Sequence, residues 1–106
     1  MMFSRLLDLI RPKVNQPEGL ISVLNDLSAP FGDRVDAAMD LGAHDEALPT
    51  LVAIACREGE DPDIVEDCGE SIGDIWKRTG GFDRAIYLSL PADAQKMISG
   101  IVDTEQ

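Results

Sequence analysis

The chain is 106 residues long, enough for one small domain with a modest core, and it carries 20 acids against nine lysines and arginines, a formal charge of −11 at pH 7. A field of that sign repels phosphate backbones and anionic membrane surfaces, which argues against direct nucleic-acid or membrane-surface binding. No apolar run approaches the roughly 20 residues of a bilayer span, and the N-terminal FSRLLDLI carries charges and lacks a small-residue cleavage site, so a cytoplasmic protein is expected.

In chain order, Leu6, Leu7 and Ile10 share one helix face, and Pro12 and Pro17 break the chain after it, which predicts an N-terminal capping helix within residues 1–16. Leu20, Val23, Leu24 and Leu27 form the next stripe, ending before Pro30-Phe31-Gly32. Asp33 is placed to cap a helix that runs to Gly42. Asp45 is expected to cap the following helix, whose first turn tolerates Pro49 and whose inward face is Leu48, Leu51, Val52 and Ala55, with Gly59 ending it. Asp63 is then expected to cap a long helix through Trp76 that stops at Gly80-Gly81. Two shorter helices follow, about 83–89 and about 92–103, the last opened by Pro91. Cys56 and Cys68 both fall at apolar-face positions and are expected as free thiols in the core. With no alternating β-branched run, the expectation is an all-α fold of about seven helices.

Sliding the chain against itself by 31 residues lays VEDCGESIG (Val65 to Gly73) under RVDAAMDLG (Arg34 to Gly42), so that Asp36 falls on Asp67, Ala37 on Cys68, Ala38 on Gly69, Leu41 on Ile72 and Gly42 on Gly73. Small residues recur where stacked helices would approach closely, and large aliphatics where layers would interlock. The same offset lays GLISVL (Gly19 to Leu24) over TLVAIA (Thr50 to Ala55). This pattern resembles the HEAT-like repeats of the type found in phycobilisome lyases, over about Asp33 to Gly73, with one helix ending at Leu41-Gly42 and the next opening at Ala47-Leu48-Pro49. The resemblance implies a short α-solenoid that binds protein, and it carries no catalytic residue onto this chain. A single domain is expected, with 1–16 as N-terminal cap, 17–75 as repeats and 76–106 as C-terminal cap.

Charge is unevenly distributed. Residues 1–16 sum to +2 and residues 76–106 balance four acids against four bases, whereas residues 17–75 hold 15 acids against only Arg34 and Arg57, a net of −13. Glu66, Glu70 and Asp74 recur every four residues, Asp36 and Asp40 do the same on the preceding repeat, and Asp67 is the repeat partner of Asp36. Like charges so spaced cost roughly 0.2–0.5 kcal/mol per pair in an isolated helix, and within the stripe no basic residue stands at i+4; only its last member, Asp74, is followed at that spacing by a cation, Arg78. These six carboxylates are the candidate partner-binding residues, an electrostatic footprint for a basic protein; the plain alternative is a solvated face that keeps the chain soluble. A concave groove lined by Glu18, Ser22, Asn25, Thr50 and Arg57 is the other candidate surface.

Little else suggests chemistry. His44, the one imidazole, sits in a turn, and no serine or cysteine has an evident partner. The acids from Glu58 to Asp63 fail as a calcium loop, because the positions that require glycine and glutamate, counted from Asp61, hold Glu66 and Ile72. Gly80-Gly81 lacks any phosphate-loop context. No catalytic residue, metal or cofactor is therefore expected. Trp76, Phe82 and Tyr87, near Lys77, Arg78 and Arg84, read as a C-terminal cap or as an interface patch. The function expected is a non-enzymatic module that binds and inhibits or neutralises a basic protein, such as a toxin immunity protein. The alternative is an adaptor or lyase-like assembly factor holding a client protein or a bilin-type ligand.

Overall fold

A computed structural model describes residues 16–106, and the helix expected over Leu6 to Ile10 lies outside them. The described chain forms six α-helices and no strand: α1 (Pro17–Asn25), α2 (Phe31–Asp40), α3 (Leu48–Ala55), α4 (Pro62–Thr79), α5 (Arg84–Ser89) and α6 (Ala92–Ser99), with two 3-10 turns, Leu41–Ala43 and Asp45–Ala47, between α2 and α3. The all-α expectation holds at this level.

Helix α4 is the centre of the packing, touching α2, α3 and α6. Nine of its eighteen residues are buried, among them Ile64, Cys68, Ile72, Ile75 and Trp76. They join Leu20, Leu24, Leu41, Leu51, Ile54, Ala94 and Ile98 in one apolar cluster. Close approach is set by small residues. A Cβ built on Gly69 would lie 2.7 Å from the Ala94 backbone of α6, one on Gly73 would lie 2.9 Å from the Ile101 side chain, and one on Gly42 would lie 2.9 Å from Ser71 Oγ. The Ser71 hydroxyl uses that proximity, donating to the carbonyls of Ala38 (2.6 Å) and Met39 (3.2 Å) at the end of α2. The small residues aligned by the repeat offset are thus the points at which α2 meets α4 and α4 meets α6.

Several helix ends differ from expectation. Helix α2 begins at Phe31 after Pro30, so Asp33 lies in its first turn and caps nothing with its side chain. Asp45 makes no cap either, because a 3-10 turn intervenes before α3; its carboxylate instead receives Arg78, whose Nη2 also donates to the Gly42 carbonyl at 3.0 Å. Asp61, rather than Asp63, caps α4, accepting the Asp63 amide at 2.8 Å. The stop at Gly80 is as expected: φ is 69°, the left-handed conformation glycine adopts without steric cost.

Two apolar assignments also fail. Leu27 lies beyond the end of α1 and is 72% exposed. Cys56 falls past the last turn of α3 and is exposed, while Cys68 is buried; removal from water pushes the Cys68 thiol up to about 12. Trp76 packs edge-on against Phe82, with centroids 5.2 Å apart, and Phe82 packs against Tyr87 at 5.7 Å; Trp76 is buried, and Phe82 and Tyr87 are half-buried against the core.

Candidate partner-binding face

The two cations of the 17–75 stretch go to one anion. Arg34 is only 6% exposed, and its guanidinium forks onto Glu60, with Nη1 donating to Oε1 at 3.1 Å and Nη2 to Oε2 at 2.9 Å. Its Nε and Nη2 also donate to the Leu24 carbonyl at 3.0 and 2.9 Å, closing the C-terminus of α1, where helix carbonyls lack partners and positive charge is favoured. Arg57 shares the Glu60 Oε2, its Nη1 donating to it at 3.3 Å, and its Nη2 donates to Asn25 Oδ1 at 3.1 Å. Burial alone would raise the Glu60 carboxyl, but hydrogen bonds from Arg34 and from the Asp61 amide outweigh it and hold the group below its ordinary range. Of the groove expected to bind, Asn25 and Arg57 are thereby tied up in internal hydrogen bonds.

The six candidate carboxylates all lie on α2 and α4. Asp36, Asp40 and Asp74 are exposed, and Glu66, Asp67 and Glu70 are half-buried. Of the six, only Glu66 has a cation among the described residues, Lys96 of α6 at 3.3 Å, a relief from a third helix that spacing within one helix does not reveal. Among the described residues, Asp36, Asp40, Asp67, Glu70 and Asp74 have no ion-pair partner. Asp67 registers the crowding: partial burial, and then the charges of Glu70, Asp63, Glu66 and Asp36, push its carboxyl above the ordinary value. The repeat register that set Asp36 beside Asp67 agrees with their being within electrostatic reach of one another.

At one end of this face lies a cleft of about 490 Å³ lined by Met39, Asp40, Asp74, Lys77 and Arg78 together with Gly42 and Ala43. Met39 is 49% exposed; it stands four residues after Val35, itself four after Phe31, a spacing that a count of charges does not register. His44 stands between the two 3-10 turns with Nδ1 3.6 Å from the exposed Glu46. The described residues contain no group of three or more histidine, cysteine or carboxylate side chains that could hold a metal ion, and no helix among them is long and apolar enough to cross a membrane. Asp36, Asp40, Asp67, Glu70 and Asp74 thus give α2 and α4 a concentration of negative charge. Compared with known proteins, the chain matches no family model, no curated protein and no solved structure.

Proposed function

We propose that this chain is a non-enzymatic, HEAT-like interaction module whose acidic α2–α4 face binds a basic protein and blocks or shields it. The observation that carries the reading is the concentration of carboxylates without an ion-pair partner among the described residues: Arg34 and Arg57 are both bound to Glu60, so Asp36, Asp40, Asp67, Glu70 and Asp74 act together on whatever approaches. Such a field accelerates encounter with a cationic surface and rejects anionic ones. A stoichiometric inhibitor, of which a toxin immunity protein is one example, suits a small rigid body with a preformed charged face.

The solenoid component draws support from side-chain contacts at nearly constant sequence separation, two of them between helices, Ala38 with Ser71 at 33 and Glu66 with Lys96 at 30, and two involving the adjoining turns, Asn25 with Arg57 at 32 and Asp45 with Arg78 at 33. A chain adding one helical pair per layer makes contacts of this kind.

The test is capture of the partner from the native host, followed by association kinetics at rising salt and with the triple reversal Glu66→Lys, Glu70→Lys and Asp74→Lys. These side chains are exposed or half-buried, so the variant should keep its helical circular dichroism while association slows by about tenfold or more. Unchanged association in that variant would reduce the acidic face to a solubilising one.

A further inference from the structure

We propose that the groove between α2 and α4 docks a cationic amphipathic segment of the partner, its apolar side chains seated on the Phe31–Val35–Met39 ridge and its lysines or arginines facing the α4 carboxylates. The inference rests on the acidic-face reading and specifies what the face recognises. Phe31, Val35 and Met39 recur every four residues and so form one stripe along α2, about 12 Å long. Phe31 and Met39 are each 49% exposed, although a helix of this size ordinarily turns such side chains inward. On α4, Asp63, Asp67, Glu70 and Asp74 recur at spacings of four, three and four, and so form a second stripe.

The two stripes border one groove. Met39 and Asp74 line the same cleft, and between the helices Ser71 holds the Ala38 and Met39 carbonyls. Over residues 31–39 the α2 wall carries the apolar ridge, and over 63–74 the α4 wall is anionic, giving way beyond Asp74 to Lys77 and to Arg78, which is paired with Asp45; the 63–74 stretch is the complement of a segment carrying aliphatic and basic side chains on adjacent stripes. A second copy of the chain is the wrong occupant, because twofold pairing would lay Asp36, Asp67 and Asp74 against their own duplicates. An anionic membrane is excluded by the same sign of charge.

The experiment titrates the isotopically labelled full chain with a synthetic leucine–lysine amphipathic peptide, an oligolysine of equal charge, and a leucine–glutamate peptide of the same apolar pattern. The leucine–lysine peptide should bind about tenfold or more tighter than oligolysine, the gain expected from burying one or two apolar side chains, and the leucine–glutamate peptide should not bind. Perturbed amide resonances should fall within 31–39 and 63–74. Phe31→Ser and Met39→Ser should each remove most of the advantage of the leucine–lysine peptide while leaving oligolysine affinity unchanged. Leu88→Ser, at a residue 59% exposed on α5, should do neither. Equal affinity for oligolysine, or an equal loss from Leu88→Ser, would overturn the groove while leaving charge attraction standing. Failure of every cationic peptide would remove both readings. A dimer in sedimentation that Met39→Asp dissociates would assign the groove to a second copy and end the proposal.

Discussion

Among the described residues Glu60 is the carboxylate around which two cations, Arg34 and Arg57, are built. Its carboxylate is 2% exposed and the Arg34 side chain 8%. Removing one partner of a buried pair leaves an uncompensated charge, at a cost of several kcal/mol that exceeds what the intact pair contributes. Glu60→Ala should therefore lower the unfolding free energy by about 3 kcal/mol in urea titration, whereas Arg57→Ala, at a side chain one-third exposed, should cost about 1 kcal/mol or less. Because the folded state holds Glu60 below its ordinary 4.5, its contribution is fully present above that value and is lost as pH falls through the folded one. Asp67 has the opposite sign. Its carboxyl is raised above 3.8, so its ionised form penalises the fold at neutral pH, and the penalty is relieved as pH falls through the folded value. Asp67→Asn should stabilise the chain at pH 7, lose that gain in acid, and at the same time slow partner association. A variant less stable at pH 7 would show that Asp67 has a supporting contact its crowding does not suggest.

At the scale of the helices, stability turns on how closely neighbours approach. Gly69→Ala would place a methyl 2.7 Å from backbone atoms of Ala94, and backbone cannot yield as a flexible side chain can. The strain of forcing α4 and α6 apart should cost about 1–3 kcal/mol. Gly32→Ala, in the first turn of α2 with nothing within 4 Å, should instead be neutral or stabilising by up to about 1 kcal/mol, by reducing the freedom of the unfolded chain. Thermal denaturation of the two variants separates a packing glycine from an incidental one. That Gly69 and Gly73 would lie at contacts was legible from their alignment with Ala38 and Gly42, since close stacking selects small residues at fixed intervals. Helix starts were less legible. Asp33, Asp45 and Asp63 each had the chemistry of a cap, but the start was set elsewhere, by Pro30, by an intervening 3-10 turn and by Asp61. Cys56 and Leu27 differ from expectation for a related reason, because the apolar period continues past the point where the helix ends, by one residue at Cys56 and by two at Leu27. The six carboxylates were found by counting charge, but the Arg34–Glu60–Arg57 cluster was not, because it joins positions 26 residues apart through the fold and not through any local spacing.

For the whole molecule, the imbalance of charge makes two predictions of opposite sign. Residues 17–75 carry 15 acids and two arginines, and both arginines are bound to one glutamate, so the free chain bears like charges held together by the fold. Salt screens such repulsion over a Debye length of about 8 Å at physiological ionic strength. Raising sodium chloride from about 0.02 M to about 0.5 M should therefore raise the urea midpoint of the isolated chain. The buried Arg34–Glu60 contact, which salt reaches poorly, should lose little over that range. The same change should slow association with a basic partner by about tenfold or more, because the attraction that gathers encounters acts through solvent and is screened with the repulsion. Dissociation, governed by contacts formed after docking, should change far less. Denaturation and stopped-flow association on one salt series thus distinguish the two uses of an acidic face: a solubilising face gives the gain in stability alone, and a recognition face gives that gain together with the fall in rate. An association rate indifferent to salt would leave the carboxylates of α2 and α4 without a role in recognition.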